Sequence, residues 1–152
     1  MLAHAETLFR PFLAFGTAIL GKQKLDPRLR ELTILQVSRL TGAEYEWVQH
    51  VGVARELGVR EEEIRALERG DLSDASFDPF TRSVLRFVSE AVEEQRVSDP
   101  VFEEVRARLS PRELVELLLT AGFYFGLALV LRTLEVDLDE PAGKAVVEAS
   151  KS

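Results

Sequence analysis

The chain has no cysteine in its 152 residues. That excludes disulfides, thiolate metal sites and every mechanism that needs a sulfur nucleophile or a redox thiol. Histidine is scarce: with only two, His4 and His50, a metal site would need carboxylates to complete it. Positive charge is the minority, 19 Lys and Arg against 26 Asp and Glu, for a net charge of −7. A nucleic-acid partner is therefore not expected, because phosphate contacts need a basic face. Anionic small molecules stay open, since a few local arginines can outweigh the global charge. Alternating strand patterns joined by hairpin turns are missing as well.

Long apolar runs are few. Pro11–Leu20 has the length of a signal-peptide core, but Glu6 precedes it and no small-x-small cleavage site is evident. Leu117–Leu131 is nearly uncharged, yet about fifteen residues of helix span only ~22 Å, short of a ~30 Å hydrocarbon core. The expectation is a cytoplasmic protein with no membrane span. Leu117–Leu131 reads as a helix buried in the domain centre or in a subunit interface.

What is present is strongly helical punctuation. Asp26-Pro27 opens a helix, with the proline where a missing N–H costs nothing. The device recurs at Asp78-Pro79, Asp99-Pro100 and Ser110-Pro111, and Ser110 with Glu113 fits a capping box. Gly42 and Gly58 stand where helices should stop. The pattern predicts helices over 4–20, 27–41, 43–57, 61–69, 79–95, 99–108 and 111–134. It gives one all-α domain over 1–136, with 137–152 as a loosely held tail carrying a possible short helix near Lys144–Ser150.

Polar residues on apolar faces carry the functional question. In the third helix Ala43, Glu46, Trp47, His50, Val51, Ala54 and Leu57 share one face. Glu46 and His50 are neighbours there at i and i+4. Glu31, on a face with Ile34, Leu35 and Ser38, can approach His50 across the Gly42 turn. Three readings are open. His50 is a core histidine held by Glu46, with Glu31 a first-turn acid favoured by the helix dipole. Or the cluster is an acid/base site, since histidine titrates near neutrality and a carboxylate tunes it. Or Glu31, Glu46 and His50 ligate a divalent metal. Tyr124, within Gly122–Gly126, is a polar handle in an otherwise core-like stretch.

Over residues 25–70, "LDPRLRELTILQVSRLTGAEYEWVQHVGVARELGVREEEIRALERG" resembles the carboxymuconolactone decarboxylase family, within the alkylhydroperoxidase D-like superfamily. "ELVELLLTAGFYFGLALVLRTL" (113–134) looks like that family's second helical part, with its Tyr-x-Gly segment. The resemblance implies a multi-helical domain with an antiparallel helix hairpin, assembled as a homo-oligomer (dimer, trimer or hexamer). In the peroxidase branch, a Cys-x-x-Cys-x-x-x-His run carries redox chemistry and an upstream glutamate relays protons. Here Ala43 and Glu46 stand at the cysteine positions, while Glu31 and His50 match the glutamate and the histidine. Thiol peroxidase chemistry is impossible without sulfur.

The decarboxylase branch places glutamate four residues before its histidine, as Glu46 and His50 do. Its reaction uses no cofactor. Carbon dioxide leaves a butenolide, the electrons pass through the ring alkene into the lactone carbonyl, and the dienolate is protonated at carbon. The resemblance thus implies His50 as proton donor, Glu46 as its orienter and Glu31 as relay or second acid. Trp47 and Tyr124 become candidate walls of a substrate site. An arginine, Arg39 or Arg30, becomes a candidate grip on a substrate carboxylate, without a motif behind it. The function expected is a cofactor-independent lyase, or a related acid/base enzyme, on a small carboxylate or lactone. A non-catalytic ligand-binding or assembly protein and a metal-dependent enzyme are the alternatives.

Overall fold

Proline and acid caps decide where the helices begin. The computed structural model describes residues 2–137. After a 3-10 turn at Leu2–His4 come α1 (Glu6–Gly21), α2 (Pro27–Thr41), α3 (Glu44–Glu56) and α4 (Glu61–Arg69). They are followed by α5 (Pro79–Glu93), α6 (Asp99–Arg106) and α7 (Pro111–Thr133). No strand occurs among the described residues. Asp26 accepts from the Leu29 amide at 3.0 Å, and Asp78 accepts from the amides of Phe80 and Thr81. Ser110 and Glu113 form the expected capping box. The α6 boundary differs by one residue: Ser98 takes the cap position and Asp99 opens the helix, without a side-chain cap bond. The tail beyond Asp137, including Lys144–Ser150, lies outside the described residues.

The central helix is α2, which packs against α3, α5 and α7. Every residue from Leu29 to Ser38 is buried, so this helix is enclosed on all sides despite Arg30, Glu31, Thr33, Gln36 and Ser38. Burial of those groups is tolerable only if each finds a partner. Thr33 and Ser38 donate their hydroxyls to the carbonyls of Leu29 and Ile34, one turn back, at 2.8 Å each. Gln36 donates to Ser89 on α5 at 2.8 Å. Gly42, at φ +65°, ends α2 in the left-handed conformation that costs glycine little. The chain then turns directly into α3, which makes the α2–α3 hairpin that the sequence predicts.

The segment joining α1 to α2 is fastened to α7. Glu116 accepts from the amides of Lys24 and Leu25 at 2.7 and 2.8 Å, and Gln23 donates to Thr120 at 2.9 Å. These bonds fix the end of α1 beside the start of α2, where the buried polar cluster lies.

The apolar helix α7 is not the enclosed one. Leu114, Leu117, Thr120, Ala121, Tyr124, Ala128 and Leu131 face the core. Val115, Leu118, Leu119, Phe125 and Leu129 remain exposed, Leu129 at 65%. Among the described residues α7 is also the one helix long and apolar enough to cross a membrane by length and composition. Of the two places expected for this helix, the domain centre is corrected, since α2 occupies it; α7 shows one apolar face, as a helix of a subunit interface would. An apolar stripe of this kind commonly marks an interaction surface. We expect self-association through it, with a native mass that is a multiple of 17.1 kDa in light scattering at micromolar concentration. Leu129→Glu, at an exposed position, should shift the mass toward one chain without unfolding it. A 17.1 kDa species for the unaltered protein would refute this.

Candidate functional site

Glu31 lies in the second turn of α2 with no solvent exposure. Both of its oxygens are taken. Arg30 donates Nε–H to Oε1 at 2.9 Å, and Nδ1 of His50 meets Oε2 at 2.8 Å. The second arm of Arg30 donates to the Leu20 carbonyl at 2.7 Å. One buried network therefore joins the end of α1, the first turns of α2 and the middle of α3. A carboxylate oxygen accepts, so Nδ1 of His50 is the donor in this bond, directed at Glu31. Nε2 is the ring nitrogen that Glu31 does not hold. His50 keeps 11% side-chain exposure against 0% for Glu31, so the imidazole is the member that meets the outside.

Glu46 does not hold His50. It is 2% exposed, and neither carboxylate oxygen has a hydrogen-bond partner. The predicted Glu46–His50 pair is therefore corrected: the orienting carboxylate is Glu31, reached across the hairpin. Burial pushes the Glu46 carboxyl above the ordinary glutamate range, opposed by its own backbone amide and by the His50 charge. Glu63 shows what partners change. It is also buried, yet bonds from the Arg60 amide and from the Arg60 and Arg28 side chains outweigh desolvation and hold it below that range.

Tyr124 from α7 completes the group. Its ring meets the His50 ring edge-on, with centroids 5.0 Å apart. Desolvation, followed by the Glu31 charge, pushes its phenol far above the usual tyrosine range, so it stays an O–H donor. Tyr124 also lines an open hollow of about 510 Å³ between α1 and α7, with Phe9, Phe12, Leu20, Phe123 and Leu127. The α1 part of that wall carried no signal in the sequence beyond its apolar residues.

Two expected site residues lie elsewhere. Trp47 and Arg39 share a separate hollow with Glu44 and Glu68, and the Arg39 side chain rests over Gly70. Arg30, the other candidate for a substrate carboxylate, is committed to Glu31 and Leu20. His4 is exposed in the N-terminal turn. No group of three or more His, Asp or Glu among the described residues is placed to hold a metal ion, and Glu31, Glu46 and His50 do not form one.

The family model for carboxymuconolactone decarboxylases matches residues 6–90, more than half of the chain. The chain belongs to the carboxymuconolactone decarboxylase family. The matched region holds Arg30, Glu31, Glu46 and His50 but ends before α7. Solved structures carry the likeness further. A protein of unknown function from Agrobacterium tumefaciens, grouped with the antioxidant-defence protein AhpD, superposes with a TM-score of 0.79 at 20% identity, covering 91% of this chain and 95% of that one. The alkylhydroperoxidase AhpD core of a peroxidase-related protein from Ralstonia eutropha JMP134 gives 0.78 at 18% identity, over 99% and 78%. A peroxidase-related protein from Silicibacter sp. TM1040 gives 0.76 at 18%, over 86% and 70%. At such identities the likeness establishes the alkylhydroperoxidase D-like fold, α7 included. No curated protein matches the chain.

A carboxyl whose pKa folding raises costs nothing while protonated and penalises the folded state as pH climbs through its raised value. Glu46→Gln should therefore raise Tm at neutral pH, with the gain shrinking as pH falls through the ordinary glutamate range. Thermal melts across that range check this. A variant that melts lower than the parent at neutral pH would reveal a partner for the carboxylate.

Proposed function

We propose that this protein is a cofactor-independent acid/base enzyme that moves a proton on a small lactone or related carbonyl compound. The observation that carries the reading is the Glu31–His50 bond at 2.8 Å inside a buried network. An ionised carboxylate behind Nδ1 fixes the tautomer and orientation of the imidazole, and it stabilises the cation formed when Nε2 takes a proton. The cluster sits beside an apolar hollow, where electrostatic effects on a bound substrate are stronger than in water.

In this reading, electrons released at a carbon conjugated to the carbonyl flow into the carbonyl oxygen, and His50 supplies or removes the proton that balances them. Glu46, protonated more readily than an ordinary glutamate, is the second acid. Tyr124, a permanent donor, is suited to an enolate oxygen. The electrons can come from loss of carbon dioxide, as the family name states, or from loss of a carbon-bound proton. Hydroperoxide reduction by a thiol–disulfide cycle has no sulfur to run on.

An ultraviolet-absorbance turnover screen over butenolides, β-keto acids and hydroxymuconate-like compounds tests the proposal. On any substrate found, His50→Ala should lower turnover about 10²–10⁴-fold, the usual contribution of a positioned acid or base. Full activity in a folded His50→Ala protein would make the network purely structural.

A further inference from the structure

The hollow that Tyr124 lines, one ring contact away from His50, has a chemistry of its own. Its wall comes from Phe9, Phe12 and Leu20 on α1 and from Phe123, Tyr124 and Leu127 on α7, and among the described residues no charged side chain lines it. Phe12 stacks on Phe123 with centroids 4.6 Å apart, and Phe123 meets Tyr124 edge-on at 5.4 Å. Aromatic contacts therefore run without a break from this wall to the imidazole. At about 510 Å³ the hollow is large enough for a substituted ring, within the ~300–1,000 Å³ common for small-molecule sites.

A carboxylate placed there would lose water and gain no cation. Arg30 is the cation of the cluster, and it is spent on Glu31 and on the Leu20 carbonyl. Arg39 lines a different hollow, beside Glu44 and Glu68. Of the charged groups that Tyr124 feels, Glu31 and Glu46 repel an anion and Arg30 alone opposes them. The wall and the charges behind it disfavour the carboxylated substrate that the family name suggests.

Resting on the acid/base reading above, we propose that this site takes an uncharged, mostly apolar, enolisable lactone, and that a proton rather than carbon dioxide leaves its carbon. The reaction is then an isomerisation. The C–H bond α to the lactone carbonyl breaks, its proton passes to Nε2 of His50, and its electron pair moves into the carbonyl as a dienolate. Nε2 returns the proton to the γ carbon, where a new C–H bond forms and the ring alkene shifts into conjugation. Atoms and electrons balance without a co-reactant.

The test uses the full chain and three probes. These are α-angelica lactone, its homologue with a pentyl group in place of the methyl, and the same homologue ending in a carboxylate. Displacement of the neutral dye N-phenyl-1-naphthylamine reads binding, and proton NMR in deuterium oxide reads isotope uptake at the α and γ carbons. The pentyl butenolide should displace the dye at a concentration about tenfold or more below the carboxylated one. It should also take up deuterium in the unaltered protein and not in His50→Ala, which still binds it. Leu127→Arg, which puts a cation in the wall, should reverse the order of the two. Equal or better binding of the carboxylated probe overturns the substrate class. The acid/base reading then survives if His50→Ala still abolishes turnover of a carboxylated substrate. Selective binding of the neutral probe without isotope uptake in any of the three overturns the isomerisation.

Discussion

A fully buried carboxylate holds this molecule's functional half together. Glu31 can be buried in the first turns of α2 only because Arg30 and His50 meet its two oxygens. The desolvation of such a group is large, and the network offsets it only while every member is present. The cost also fixes the geometry. With Arg30 tied to the last turn of α1 and His50 to α3, the three elements are held in register around one carboxylate. Packing of α2 on α5 and α7 excludes water and gives the bonds their strength. The fastening of Lys24 and Leu25 to Glu116 supplies the remaining link to α7.

Glu46 stands against that background as the unsatisfied member. Glu63, also buried, has bonds from two arginines and a backbone amide, which is how a glutamate settles into a core. A carboxyl with no partner beside a histidine lowers stability at neutral pH. Such a cost is tolerated most readily where a proton must be held for use. The contrast between the two glutamates lies in their partners as well as in their burial.

The fold was legible because its signals are local. Asp26, Asp78 and Ser110 with their prolines, and Gly42 after α2, act within one turn of chain, so the helices fall where the pattern puts them. The burial of Glu31, Glu46 and His50 was legible because periodicity tells which face a residue occupies. It does not tell which partner a side chain chooses. The i,i+4 neighbour of His50 is Glu46, but the imidazole turns across the hairpin to Glu31, since Arg30 has already fixed that carboxylate. Trp47 shares the helical face of His50 by spacing, yet it opens on the side of Arg39. Hydropathy left the place of α7 open for a related reason. Composition shows how apolar a helix is, whereas the centre went to α2, whose polar side chains find partners on neighbouring turns and helices.

The positions that lack sulfur show how such a scaffold changes chemistry with few substitutions. The family's peroxidase branch places its cysteines where this chain has Ala43 and Glu46. Ala43 is 2% exposed and contributes only a methyl group to the packing, so that position is chemically silent here. Glu46 occupies the other with a carboxyl, which cannot cycle electrons as a thiol does. The Glu31–His50 pair needs no alteration for the change, because orienting an imidazole serves thiol activation and carbon acid chemistry equally well. What decides between reactions is then the hollow beside Tyr124. A wall without cations admits what is uncharged, and an imidazole next to it has only a proton to give or take.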